Sequence, residues 1–196
     1  MIIGLTGGIA SGKSTAAATL GEWGAYVIDA DKLGHRAYEP GTEAFLEVVA
    51  TFGNEIVSAN GEIDRKILGS KVFADGNRLE ELTAIVWPAI RRMAEAEIAG
   101  VKAETPNRLI VLEAAVLIEA GWQDLVDEVW VVIVEREVAI QRACSRDGVE
   151  RSAVEARIDA QLSNDERAAH AQEVIDNSGS EAEMVATLKQ LWEARA

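Results

Sequence analysis

Gly7-Gly8-Ile9-Ala10-Ser11-Gly12-Lys13-Ser14, followed at once by Thr15, is the stretch that most limits what this chain can fold into. It fits G-x-x-x-x-G-K-[ST]. Before it, Ile2-Ile3-Gly4-Leu5 reads as a strand; after it, Ala16-Ala17-Ala18-Thr19-Leu20 reads as a helix. That strand–loop–helix setting is the context the motif needs. Glycines let backbone N–H groups converge on an anion without side-chain clash. The helix N-terminus adds about half a positive charge at the same point. Lys13 supplies a full charge for the outer phosphates, and Ser14 a hydroxyl for Mg²⁺. The residues from Gly8 to Thr15 are therefore the expected contacts to a nucleoside triphosphate, with Ser14 the metal ligand. The bland alternative is a Gly-rich turn carrying an exposed lysine.

With 196 residues and 48% apolar side chains, the chain can bury one substantial core. Its formal net charge of −14 argues against a nucleic-acid or anionic-membrane partner. A polyanionic ligand then requires cations to be concentrated locally. Arginine, the better fork for phosphate oxygens, supplies 13 of the 19 basic residues. Cys144 is the only cysteine, so no internal disulfide forms, which fits a reducing cytoplasm. A strand expected from residue 2 leaves no signal peptide, and the longest apolar run, Val129 to Val134, is too short to span a bilayer.

The first helix is expected to end near Gly21 or Gly24. Ala25-Tyr26-Val27-Ile28 reads as a second strand, ending in Asp29-Ala30-Asp31. Ligands of open α/β sheets bind beyond the carboxyl ends of strands, which makes Asp31 a candidate catalytic carboxylate. The competing reading is that one of these acids caps the next helix. Pro40-Gly41-Thr42 punctuates the chain. From about 42 to 104 the periodicity is mostly helical, with breaks at Gly53, Asn60-Gly61 and Asp75-Gly76, and Pro88 is expected to start a further helix through Ile98. This stretch lacks strand–helix alternation and reads as a helical insertion. Arg91 and Arg92 within it are expected to be solvated or ion-paired.

Leu109-Ile110-Val111-Leu112 reads as a buried strand ending in Glu113, where a carboxylate supports Mg²⁺ directly or through water. A second acid, Glu119, follows. Val129 to Val134 reads as a strand buried on both faces. Glu135 to Asp147 and Ser152 to Leu162 read as helices bearing Arg136, Arg142, Arg146 and Arg157. They form either a lid that closes over phosphates or a solvated hairpin of i,i+4 ion pairs. Ser163-Asn164-Asp165-Glu166 and Ser180-Glu181-Ala182-Glu183 have the capping-box form. Val174-Ile175 reads as a short last strand. Strands alternate with helices at both ends of the chain, so a parallel, doubly wound sheet is expected.

No N-K-x-D is present to read guanine, and Asp31-Lys32-Leu33-Gly34 follows the loop too closely to leave a switch segment. The loop, an acid, an inserted acceptor lobe and an Arg-bearing lid suit a small-molecule kinase. A nucleotide-gated regulatory protein, or a kinase of another small hydroxyl, stays open on the residues alone.

The chain resembles the dephospho-coenzyme A kinases almost end to end. The resemblance lies in Leu5-Thr6-Gly7-Gly8-Ile9 with Ser11 to Thr15, Val27-Ile28-Asp29-Ala30-Asp31, Pro40-Gly41-Thr42, Phe52-Gly53 and Ile63-Asp64-Arg65 with Leu68. It continues through Val72-Phe73, Arg146-Asp147-Gly148, Arg157-Ile158 with Gln161, and Asp176-Asn177-Ser178-Gly179. Ala10 stands where the family usually has glycine, Trp87 where it has His, and Glu113-Ala114-Ala115 where it has Asp-x-Pro. Trp87-Pro88, Leu33 to Tyr38, and Glu119-Ala120-Gly121-Trp122 are similar to the kinase half of animal coenzyme A synthase. The resemblance implies an α/β P-loop NTPase fold: three layers, α/β/α, a parallel sheet, an inserted helical substrate-binding lobe and a helical lid. It implies one kinase domain over 1–196, with core 1–38, 106–145 and 169–196, insertion 39–105 and lid 146–168. ATP with Mg²⁺ would phosphorylate the ribose 3′-hydroxyl of dephospho-CoA. Lys13, Asp31 and Arg142 would be catalytic, and Arg142 and Asn177 would join the loop in holding the nucleotide. Asp31, Arg65, Glu113 and Arg157 would contact the acceptor.

Overall fold

A computed structural model of the chain describes residues 1–73 and 76–195. Two compact units emerge: Met1–Asp29 with Gly100–Ala196, and Ala30–Ala99.

In the first unit, β1 (Ile2–Gly7), β2 (Tyr26–Asp29), β3 (Ile110–Glu113), β4 (Glu128–Ile133) and β5 (Glu173–Asp176) form one sheet. The strand order is β2-β3-β1-β4-β5 and every pairing is parallel. β1 is buried at all six residues, as a central strand covered on both faces must be. Chain order reverses around β1, with β3 on one side and β4 on the other, and the carboxyl edge of such a switch point is where α/β sheets bind ligands.

Packed against this sheet are α1 (Lys13–Glu22) and α9 (Glu181–Glu193). Ala16, Ala17 and Leu20 of α1 share a core with Met184 and Leu188 of α9 and with Ile3, Leu5, Trp130, Val132 and Ile175 of the strands. The alanines of α1 let that helix approach the sheet closely. α9 starts at the expected capping box: Ser180 Oγ accepts from Glu183 N and Glu183 answers to Ser180 N. α6 (Arg136–Asp147), α7 (Arg151–Asp159) and α8 (Asn164–Ala168) complete the unit. Gly148 (φ 64°) ends α6 in the left-handed conformation, and Ser163 with Glu166 forms the second capping box.

The second unit holds α2 (Ala30–Ala37), α3 (Glu43–Phe52), α4 (Arg65–Phe73) and, as far as Ala99, α5 (Gly76–Glu104). Thr42 caps α3 by accepting from Phe45 N at 3.1 Å, and Gly53 (φ 92°) ends it. Gly61 (φ 83°) turns the chain so that Val57 and Ile63 form an antiparallel bridge, within a non-helical connection between α3 and α4. Asp75 of the expected Asp75-Gly76 break lies outside the described residues. Arg91 pairs with Glu95 at 2.9 Å and Arg92 with Glu43 at 3.7 Å, as exposed helix charges were expected to do.

Pro88 does not start a helix. It lies inside α5, which runs unbroken for 29 residues. An interior proline costs about 3 kcal/mol by removing one backbone hydrogen bond and crowding the preceding turn. Val86, Ala89, Ile90 and Ala94, all buried, flank it on one continuous face, and that burial outweighs the local penalty.

Candidate active site

β1 ends at Gly7 and α1 begins at Lys13, so residues 8–12 form the loop. Ala10 (φ 54°) and Gly12 (φ 92°) both take the left-handed conformation, which turns the backbone N–H groups inward. A side chain at Gly12 would collide with Asn177 Nδ2. Ala16 N–H bonds Gly12 O at 3.0 Å, and no side chain caps the first turn among the described residues. The earlier amides of α1 are thereby left for an anion.

Two carboxyl-end residues complete the front of the loop. Glu113, last in β3 and paired in register with Leu5, accepts from Lys13 Nζ at 2.7 Å and from Ser14 Oγ at 2.6 Å through the same oxygen. Lys13 and Glu113 are both buried, at 9% and 7% exposure. Asp29 lies opposite Glu113 in the β2–β3 register. A hydroxyl beside a carboxylate is a donor set that fits Mg²⁺, which takes oxygen ligands and keeps several waters. Among the described residues no group of three His, Cys, Asp or Glu is placed to hold a metal ion by itself.

Behind the loop, Asn177 Nδ2 donates to Ser11 O at 2.8 Å. Arg142 Nη1 donates to Asn177 O at 2.8 Å and Nη2 to Gly179 O at 3.2 Å. Arg142 and Asn177 also line a cavity of about 240 Å³ with Ala10, Gly12, Thr15 and Met184. Ile9 and Ala10 pack onto the small core of Ile140, Ala143 and Val154, which joins the loop to the α6–α7 hairpin. A second cavity, of about 420 Å³, opens beside Gly8 and Ile9. Gln161 and Arg167 line it, with Gln161 Oε1 accepting from Ile9 N at 3.0 Å.

Among the described residues, the buried side-chain atoms lacking any hydrogen-bond partner are Ser11 Oγ, Asn177 Oδ1 and Arg167 Nε. All three surround this loop. Each such atom costs about 1–3 kcal/mol when left unmade, so their gathering at one place marks a site awaiting a polar ligand.

The remaining candidates are Asp31 and Arg65 of the second unit and Arg157 of α7. Asp31, exposed, sits in the first turn of α2; the residue preceding that helix, the cap position, is Asp29. Arg65, in the second unit, stacks over Tyr38 at 5.6 Å and lines a cavity of about 180 Å³ with His35 and Glu62. Arg157 is exposed and lines neither loop cavity; Arg146 pairs with Asp147 at 2.7 Å. Arg167 is the residue that sequence reasoning missed. It stands one place after a capping box on a short polar helix, and no periodicity there foretells that it is 2% exposed.

The family described as dephospho-CoA kinase (CoaE) matches residues 1–183. A dephospho-CoA kinase of Geobacter sulfurreducens is 49% identical over 194 residues, covering 99% of this chain and 98% of that protein. The chain belongs to the dephospho-CoA kinase family. Membership makes it a kinase that uses ATP with Mg²⁺ to phosphorylate dephospho-CoA in coenzyme A biosynthesis. A solved structure titled "Crystal structure of TT1252 from Thermus thermophilus" superposes with a TM-score of 0.83 at 35% identity, covering 100% of this chain and 98% of that one. A dephospho-CoA kinase from Campylobacter jejuni shares the fold at TM-score 0.67 and 24% identity, covering 100% and 97%. No helix of the described residues is long and apolar enough to cross a membrane.

Proposed function

We propose that this kinase transfers the γ-phosphoryl group of ATP to the ribose 3′-hydroxyl of dephospho-CoA, with the work divided among the residues named above. The observation that carries the phosphate-transfer reading is the loop of residues 8–12 between β1 and α1, with Lys13 and Ser14 both bonded to Glu113. Backbone amides of residues 8–15 and the Lys13 ammonium hold the β and γ phosphates. Phosphoryl transfer needs positioning and charge neutralisation more than covalent chemistry. Ser14 and Glu113 would hold Mg²⁺, which neutralises charge developing on the phosphate oxygens. Glu113 also anchors the Lys13 ammonium at the end of β3. Arg142 and Asn177 brace the back of the loop and flank the cavity suited to the rest of the nucleotide.

Asp31 is the second acid of Val27-Ile28-Asp29-Ala30-Asp31. On that match it orients the 3′-hydroxyl and accepts its proton. Arg65 and Arg157 are acceptor contacts by the same kind of match. The proposed boundaries are core 1–38, 106–145 and 169–196, insertion 39–105 and lid 146–168; the compact units themselves divide at Ala30 and Ala99. The single cysteine suits a reducing compartment, so the reaction is assigned to the cytoplasm.

The test is ADP production with ATP and Mg²⁺ across dephospho-CoA, AMP, CMP, shikimate and pantothenate. Turnover with dephospho-CoA alone, giving a 3′-phosphorylated product by phosphorus NMR, is the expected result. Turnover with another acceptor instead, or a phosphate elsewhere on dephospho-CoA, overturns the assignment.

A further inference from the structure

We propose that Arg167 is a catalytic residue of this reaction, its guanidinium contacting the transferring phosphoryl group. The proposal rests on the reading of residues 8–15 as the phosphate loop.

Arg167 is 2% exposed, yet its bonding is poor. Nη1 donates to the Leu162 carbonyl. Nη2 meets Glu119 Oε1 at 3.3 Å, longer than the 2.7–2.9 Å usual for a charge-assisted bond. Nε has no partner among the described residues. Burial pushes the guanidinium below an arginine's ordinary value, and Glu119 opposes that only in part. A protein gains little by burying a cation in this way for packing alone, since desolvation is expensive and the pairing returns less.

Its position supplies the reason. The nearest atom to a side chain built on Gly8 would be Arg167 Nη1, at 3.3 Å. The guanidinium therefore lies against the loop that gathers phosphate, at the wall of the 420 Å³ cavity that Gly8 and Ile9 also line. Gln161, on the same segment, occupies the Ile9 amide at 3.0 Å, as an anion's oxygen would. An acidic chain has here placed a buried cation with an idle donor beside an anion cradle.

In the step itself, the bond from the γ phosphorus to the β–γ bridging oxygen breaks, and a bond from the 3′-oxygen to the γ phosphorus forms. The hydroxyl proton passes to the Asp31 carboxylate, and ADP leaves. Arg167 makes no covalent bond. It donates N–H groups to the equatorial oxygens, where charge is greatest during transfer.

The experiment compares wild-type protein with Arg167→Met, Arg167→Lys and Lys13→Ala. It measures kcat, melting temperature, and affinity for ADP and for β,γ-imido-ATP by calorimetry with Mg²⁺. Arg167→Met is expected to lose at least about 10²-fold in kcat. Its ADP affinity should hold within about threefold while that for the imido analogue falls about tenfold. Arg167→Lys, a point charge without the fork, should fall between. Equal losses for both nucleotides, a kcat within threefold of wild type, or failure of both Arg167 variants to fold make the residue structural and overturn the proposal. Lys13→Ala separates the two readings: if it keeps turnover, the phosphate-loop reading has failed; if it loses turnover while Arg167→Met does not, only the present inference has.

Discussion

The arginines of the α6–α7 hairpin and the cations beside the phosphate loop are held in opposite ways. On the hairpin, Arg136 meets Asp159 at 2.6 Å, and Arg151 meets both Glu137 at 2.6 Å and Glu155 at 2.7 Å. These side chains are about half exposed, and Arg151 bonds carboxylates through Nε, Nη1 and Nη2. Arg167 is buried and underused, and Lys13 is buried against a carboxylate that it shares with the proposed metal ligand. Exposed pairs of good geometry contribute little to stability. Buried, incompletely matched cations cost stability and are kept where an anion arrives to complete them. Counting arginines in the sequence points to phosphate binding, but only burial and partner geometry sort the two sets.

Lys13→Ala tests the buried side of that contrast most severely. Removing the charge proposed to lie nearest the β and γ phosphates is expected to lower kcat by at least about 10². It also leaves Glu113 buried beside Ser14 alone, so melting temperature is measured on the same preparation. Near-normal turnover would mean that burial beside the loop is not a mark of function.

Asp31→Asn should lower kcat with dephospho-CoA by about 10²-fold, because the amide keeps the shape but accepts no proton. ATP affinity should be unchanged. Asp29, not Asp31, holds the position before α2, so melting should shift little. A large melting shift with kcat per folded molecule intact would make Asp31 a structural acid and move the search for the base to Asp29.

Arg142→Ala is expected to lower kcat/KM by about tenfold, with kcat falling more than ATP affinity. Arg142 already satisfies two carbonyls, of Asn177 and Gly179, so it stands between the two classes of arginine. Loss confined to ATP affinity would assign it to bracing the nucleotide pocket and remove it from the chemistry.

The sheet was legible because each of its strands is a short apolar run ending in a recognisable signal. Glu113 closes β3 and the glycines follow β1, so periodicity and punctuation locate both. The phosphate loop was legible because its backbone path demands particular residues at particular spacings. Pro88 misled because its local cost is overridden by a buried face that only tertiary packing reveals. Arg167 and the Gln161–Ile9 bond stayed hidden for a related reason: both depend on contacts across more than 100 residues or on burial within a polar helix.

Ala10 tests how much strain the loop carries. The left-handed conformation costs an alanine about 1–2 kcal/mol, which Ala10→Gly would relieve. Against this, glycine adds about 0.5–1 kcal/mol of unfolded-state entropy and gives up part of a methyl packed on the hairpin core. The terms nearly cancel, so the melting temperature should move by no more than about 3 °C. Turnover should be retained, since the backbone path is one that glycine also takes. A large loss of stability would show that hairpin packing, not backbone conformation, holds the loop in place.

The smallest effect belongs to the hairpin pairs, and pH reads it. The Arg151 guanidinium holds the Glu137 carboxyl below the usual carboxylate range, and the Arg136 guanidinium does the same for Asp159. A carboxyl depressed in the folded state contributes stability above its unfolded value, about 4, and loses it as pH falls through the lower folded value. The pairs should therefore be fully present at neutral pH and fade only below about pH 4. Their solvent exposure keeps the contribution minor. Arg151→Gln is expected to leave kcat at neutral pH within about twofold, because Arg151 lines neither cavity beside the loop and its donors go to Glu137 and Glu155. Its acid unfolding curve should differ from the wild type only below about pH 4, and 0.5 M salt should shrink even that difference. A marked loss of turnover at neutral pH would break the contrast, since a saturated, exposed arginine would then be as functional as a buried, unsaturated one.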